Sequence, residues 1–201
     1  MAKRENHGST KGRLLEIATR LFSSNGFVGT TIREISRECG VSEAAVYKHF
    51  ASKKDLYEEA IRSKTRKHKI QDYLDSLKGK GTIEEVLFSL AGHIIKTARK
   101  DPGLIRMMLF SSLEGFSVST ILFKEFRYPY IRFLREELIE RIDQGEVRKV
   151  NPYISARCFV GMVMDCALNS ELWNNLESKS FSPEAVAKNN IPIYARGLAA
   201  L

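Results

Sequence analysis

The chain has 201 residues, of which 43% are hydrophobic and 28% charged, with five prolines and a formal net charge of +8. That length buries a sizeable core in one or two domains and excludes a disordered or fibrous chain. No run approaches the ~18 uninterrupted apolar residues of a membrane span, and the polar stretch Met1–Gly12 lacks the apolar centre of a secretory signal; no membrane contact and a cytoplasmic location are expected.

Nearly every segment reads as helix. Leu14, Ile17, Ala18, Leu21 and Phe22 recur at i, i+3, i+4 and i+7, which puts them on one helical face, and Asn25-Gly26 ends that helix. Thr31 with Glu34 forms a capping-box pattern opening a second helix, whose inner face carries Ile32 and Ile35 and which Gly40 stops. Ser42 offers a fresh N-cap two residues later, for a third helix of about nine residues ending at Phe50. Ser52 with Asp55 opens a fourth, expected to run to Tyr73 or Leu77.

The glycines of Lys78-Gly79-Lys80-Gly81 break the helical pattern. Thr82 with Glu85 is a third capping box, followed by an apolar face of Val86, Leu87, Leu90, Ala91, Ile94, Ile95 and Ala98. Asp101-Pro102-Gly103 is a turn with proline in the first turn of the next helix. Further helices are expected at about 103–112, 118–127, 129–144 and 152–174, and a last one after Ser182-Pro183-Glu184. Proline inside a helix costs ~3 kcal/mol or more, so a kink or break is expected before Pro192. No β-alternating run and no repeat is present. The fold class is all-α.

Residues 1–70 hold 15 Lys+Arg against 8 Asp+Glu, a net of +7, whereas the remaining 131 hold 17 against 16. The first third is therefore either a polyanion-binding module or a solvated basic surface. Two short helices about a glycine turn, Thr31–Cys39 and Ser42–Phe50, have the form of a helix-turn-helix whose second member enters a major groove. Val46 and Phe50, four residues apart, anchor that helix. Small residues at Ala44 and Ala45 admit close approach to base edges, while Tyr47, Lys48 and His49 reach phosphates. Glu43 either reads a cytosine amino group or faces solvent, and Lys3 and Arg4 form either a minor-groove arm or a basic tail.

The run Thr30-Thr31-Ile32-Arg33-Glu34-Ile35, Gly40-Val41-Ser42, Val46-Tyr47-Lys48-His49-Phe50 and Ser52-Lys53-Lys54-Asp55-Leu56 closely resembles the N-terminal domain of the TetR family, over about residues 10–58. The resemblance implies a helix-turn-helix DNA-binding domain at 1–58 and a helical effector-binding and dimerisation domain at 59–201. It implies that Thr31 and Tyr47 contact phosphates, that Ser42, Ala44, Ala45, Lys48 and His49 approach bases or backbone, and that Lys53 grips a phosphate. Ala45 stands where the family often has threonine. The resemblance assigns dimerisation to the helix Pro152–Trp173 and the last helix, packed as a four-helix bundle. The expected partners are double-stranded operator DNA, a second copy of the chain, and a small apolar or amphipathic effector; no cofactor is expected.

Met107, Phe110, Phe126, Tyr130, Phe133 and Met162 are the candidate apolar lining of an effector pocket. Asp165 interrupts the apolar stretch Phe159–Leu168, and three readings stand: a pair with Arg157, Arg132 or Arg127, a ligand-facing acid, or exposure. His93, at the edge of its helix's apolar stripe, is expected to be half-exposed. Four histidines without metal spacing, and no phosphate loop or nucleophile elbow, argue against an enzyme. Cys39, Cys158 and Cys166 are expected as buried small side chains. The alternative function is a thiol-based redox sensor using one of these cysteines; Cys158 and Cys166 are too far apart on one helix to bridge.

Overall fold

The computed structural model describes residues 9–114, 116–172 and 182–200. Lys3, Arg4 and Trp173 lie outside them. The described residues form eleven α-helices and one isolated bridge, Val147 with Ala199. They fall into two compact units, Met1–Lys67 with Gly103–Phe123, and His68–Pro102 with Lys124–Leu201.

The first unit begins with α1 (Thr10–Asn25), α2 (Ile32–Cys39), α3 (Glu43–Tyr47) and α4 (Lys53–Lys67). α1 packs on α2 and α4, and α2 on α3. Leu14, Ala18, Leu21, Phe22, Ile35, Val46, Leu56, Tyr57 and Ile61 make the core, so each amphipathic stripe read from the sequence faces inward. Phe22 meets Tyr57 edge-on at 4.8 Å between ring centres, and Phe27 meets Tyr57 at 5.2 Å. α7 (Pro102–Leu113) and α8 (Phe116–Leu122) complete the unit, with Leu104, Ile105 and Met107 buried and α8 against α4.

The third helix is shorter than its sequence pattern. α3 ends at Tyr47, and the chain tightens: His49 N–H donates to the Val46 carbonyl at 2.9 Å, three residues back, while Phe50 keeps the four-residue bond to the same carbonyl. Sharing that carbonyl turns Phe50 into the core. The expected fourth helix is two helices. α4 stops at Lys67 and α5 (Ile70–Leu77) begins after Lys69, a non-glycine residue at φ 45°. Neither glycine nor proline marks that break.

The second unit is built on α6 (Ile83–Lys100), which packs against α10 (Pro152–Leu172) and α11 (Pro183–Leu198); α9 (Tyr128–Asp143) packs on α10 and α5. Only Thr82 completes its capping box, taking the Glu85 amide while Glu85 takes the Thr82 amide; Thr31 and Ser52 supply the hydroxyl half. A buried ion-pair network closes the glycine turn before α6. Glu137 accepts from Gly79 N–H at 2.9 Å, and Arg141 bonds Glu137, Glu146 and the Gly81 carbonyl. α11 runs unbroken through Pro192. The carbonyl that proline leaves without an amide belongs to Lys188, an exposed residue. A π-helical turn, Phe123–Arg127, precedes α9 where an ordinary helix to residue 127 was expected.

His93 is half-buried. Its ring stacks on Tyr73 at 3.9 Å, and its Nδ1 lies 2.8 Å from the Tyr130 hydroxyl. Burial, reinforced by the nearby His68, Lys96 and Lys100, pushes its pKa down to about 4. Below the ordinary value of about 6.5, the unfolded chain takes up a proton that the folded chain refuses. His93 therefore contributes stability that is complete above pH 6.5 and declines as the pH falls toward about 4. We expect His93→Gln to flatten the pH dependence of Tm in that window, and parallel profiles for variant and parent contradict the assignment. The Tyr57 hydroxyl is buried without a hydrogen-bond partner among the described residues, and burial pushes its pKa up. Removing an unsatisfied buried hydroxyl is neutral or stabilising, so Tyr57→Phe is expected to hold or raise Tm, whereas Phe22→Ala in the same cluster costs about 3–5 kcal/mol.

Candidate nucleic-acid interface

The turn between α2 and α3 depends on Gly40, which adopts φ 70°, ψ 34°, a left-handed conformation that costs a side-chain-bearing residue more. Its N–H closes onto the carbonyls of Ser36 and Arg37. Arg13 adds a hydrogen bond from its guanidinium to the Cys39 carbonyl at 3.3 Å. Two residues on, the Ser42 hydroxyl accepts from Ala45 N–H at 3.2 Å and starts α3. Val46 is fully buried beneath α3 and Phe50 nearly so. On the opposite side Ser42, Glu43, Ala44, Tyr47, Lys48 and His49 are exposed, Tyr47 at 51%, while Ala45 is half-buried.

Thr31 caps α2, accepting from Glu34 N–H at 3.1 Å. Capping occupies an acceptor lone pair of Thr31 and Ser42 but leaves each hydroxyl proton available to an anionic oxygen. Lys53 opens α4 half-buried, its ammonium 4.4 Å above the centre of the Phe27 ring; burial lowers its pKa and the charge of Glu114 opposes that shift. Lys11 lies over the Phe50 ring at 5.5 Å, and Arg33, Arg37 and Lys54 are exposed on the same unit.

Two residues that the sequence did not single out hold the loop between α1 and α2. The Glu114 carboxylate accepts from Phe27 N–H at 2.8 Å and from Val28 N–H at 3.0 Å. Arg106 donates to the Ser23 and Ser24 carbonyls at 3.2 and 3.4 Å, closing the C-terminal end of α1. Both sit more than 80 positions from their partners, beyond the reach of any local pattern.

The candidate pocket residues are divided between the two units. Met107 and Phe110 belong to the first unit, buried and half-buried respectively. Phe126, Tyr130 and Phe133 are buried in the second, Phe126 meeting Tyr130 edge-on at 6.2 Å. Met162 lines an open cleft of about 540 Å³ between α10 and α11, with Asn190, Tyr194 and Arg148. Asp165 is exposed, as is Cys158; Cys166 is half-buried and only Cys39 is buried. Cys158 thus departs from the expected burial because it follows exposed Ile154 by four residues, on the outward stripe of α10.

A left-handed glycine elbow between two capped helices, the second pinned by its apolar side and offering its polar side outward, defines a helix-turn-helix protein. The family model described as bacterial regulatory proteins, tetR family, matches residues 14–60, the part of the chain that carries the helix-turn-helix. The HTH-type transcriptional repressor KstR2 of Mycobacterium tuberculosis is 39% identical over 54 residues, 27% of each chain. Among solved structures, the transcriptional regulator FadR from Bacillus subtilis, in complex with stearoyl-CoA, is similar with a TM-score of 0.74 and 16% identity, covering 93% of this chain and 98% of that one. AibR, in complex with isovaleryl coenzyme A and operator DNA, is similar with a TM-score of 0.67 and 23% identity, covering 92% and 97%. The sequence matches span 16% to 28% of the length of the curated relatives, and the structural likenesses extend the fold over the remainder. No described helix is long and apolar enough to cross a membrane.

Replacing Glu114 by Ala strands the Phe27 and Val28 amides. Both bonds are open to solvent in part, Val28 lying exposed, so the ordinary net worth of a hydrogen bond, about 0.5–1.5 kcal/mol, is the loss of stability expected for Glu114→Ala in a denaturant titration, with Glu114→Gln recovering part of it. An unchanged midpoint in Glu114→Ala dissociates the carboxylate from the loop.

Proposed function

We propose that the chain is a dimeric, effector-responsive transcriptional repressor that binds a palindromic operator through α3. The observation that carries the reading is the opposition on α3: Val46 buried, and Tyr47, Lys48 and His49 exposed one to three residues later. In this reading residues 1–58 contact DNA. Tyr47, Lys48, Lys53 and the hydroxyls of Thr31 and Ser42 engage phosphates, while Ala44, Ala45 and His49 approach base edges. KstR2, a repressor by name, supports the direction of regulation.

Residues 59–201 dimerise and bind the effector. One recognition helix reads few base pairs, and a two-fold dimer presents a second about one helical turn, ~34 Å, away. The exposed apolar side chains Tyr153 and Ile154 of α10 and Ile193 of α11 supply the surface for the second copy. FadR and AibR are each seen with an acyl-CoA, which supports an amphipathic effector here. Effector binding shifts the population toward a conformer whose two recognition helices no longer fit adjacent grooves.

The test is operator binding, measured by fluorescence anisotropy on DNA flanking the chain's own gene. Lys48→Ala removes one phosphate contact per subunit and is expected to reduce the slope of log K against log salt by roughly two for the dimer. Tyr47→Phe is expected to weaken binding too, both with unchanged Tm. Full affinity in both variants moves the interface elsewhere, and affinity indifferent to DNA sequence replaces the repressor reading with that of a general DNA-coating protein.

A further inference from the structure

Arg127 ends the π-helical turn before α9, and its side chain lies against α10. A methyl group on Gly161 would come within 3.1 Å of its Nη2 atom, so the guanidinium occupies the space that glycine leaves. The side chain is only half-buried, but its Nε atom is shut off from solvent and has no hydrogen-bond partner among the described residues. No described carboxylate lies within ion-pair distance of the group. A second cation, Arg157 on α10, one turn before Gly161, acts on it. Burial and then the repulsion from Arg157 both lower its pKa.

Each of these features is unfavourable for a purely structural arginine. Buried guanidinium donors are ordinarily satisfied, and partly buried charges are ordinarily paired. Arg141 in the same unit shows the ordinary arrangement, with two carboxylates and a carbonyl. A planar fork of donors that is held in place, partly dehydrated and without a counter-charge among the described residues is what recognises a carboxylate or a phosphate in bidentate fashion. The π-helical turn is also a form found often at functional sites. Phe126, the preceding residue, is fully buried against Tyr130, which anchors the turn that carries the charge.

We propose that Arg127, with Arg157 beside it and Gly161 as its seat, binds an anionic oxyacid group, carboxylate or phosphate, at the polar end of a small amphipathic ligand. The proposal rests on the effector reading above and narrows its chemistry: the effector is an organic acid or an acyl phosphoester rather than a neutral or cationic compound. Asp165, the acid weighed for a cationic effector, is two turns beyond Arg157 on α10 and exposed.

The full-length protein and its Arg127→Gln variant are compared with three anionic probes, inorganic phosphate, decanoate and decanoyl-CoA, and with decanol as the neutral control. The expected result is binding of at least one anionic probe by the parent, weakened about 10- to 100-fold in the variant, with the response to decanol the same in both. Arg127→Lys, which keeps the charge and loses the fork, is expected to fall between. Without ligand, Arg127→Gln is expected to hold or raise Tm, because it removes a cation whose Nε has no partner among the described residues and which Arg157 repels. Equal affinity of both proteins for every anionic probe, absence of binding included, overturns the proposal, as does a clear loss of Tm in Arg127→Gln. Operator release separates the two readings: if decanol frees the operator as well as decanoate does, the effector reading stands and the anion site falls. If an anion binds through Arg127 but leaves operator affinity untouched, the site stands and the effector reading falls.

Discussion

A helix of five residues has no stability of its own, since nucleation alone consumes its few hydrogen bonds. The orientation of α3 therefore comes from its packing on the rest of the unit, chiefly through Val46. That side chain is fully buried, Phe50 is nearly so, and the two lie at one face of a short segment, four residues apart. With that face fixed, the rotation of the helix is fixed, and with it the outward direction of Tyr47, Lys48 and His49. Gly40 and Ser42 set where the helix starts. The Phe22, Phe27 and Tyr57 cluster lies in the same core, and Glu114 and Arg106 pin the loop that leads into α2. Each element of the first unit bears on holding one short helix at a set angle.

The parts of this arrangement written in adjacent residues were legible before any coordinates. Ser42, Thr82, Gly40 and Gly26 act within three or four positions of themselves, so capping and helix termination follow from the local sequence. The stripes on α1 and α6 likewise follow from a period of 3.6. What escaped is non-local or marginal in energy. Lys69 breaks a helix without glycine or proline, and no residue type advertises it. Pro192 breaks a rule of the local sequence without breaking the helix, because the carbonyl it deprives is at the surface. Glu114 and Arg106 gain meaning only when residues more than 80 positions away are brought beside them. Among the interface residues, the exposure of Tyr47, Lys48 and His49 was legible because it is the complement of Val46 and Phe50, whereas the partial withdrawal of Lys53 over the Phe27 ring was not.

The chain's topology places a constraint on how any signal reaches that helix. The segment Gly103–Phe123 belongs to the first unit, yet in sequence it is bounded on both sides by the second. It carries Arg106 and Glu114, whose hydrogen bonds end on the loop between α1 and α2. Covalent continuity alone obliges a displacement of Pro102 or Lys124 to be absorbed within that segment or passed to the two side chains. Helices transmit displacement along their axes better than they absorb it, because their backbone bonds are already satisfied. The two joins are a proline that opens α7 and a π-helical turn at Phe123–Arg127.

Arg141 and Arg127 show why the same residue type leads to opposite conclusions in one unit. Arg141 is more deeply buried, but its guanidinium meets Glu137, Glu146 and the Gly81 carbonyl, so its desolvation is offset inside the protein and its function is to hold a turn. Arg127 is less buried and has less to offset the loss of water at Nε, with Arg157 adding repulsion. Selection for stability alone favours a neutral side chain at such a position. The proposed anion supplies the counter-charge that Glu137 and Glu146 supply to Arg141. The turn that carries Arg127 is also one of the joins between the two units in sequence, so the proposed anion site lies on the segment that leads into α9.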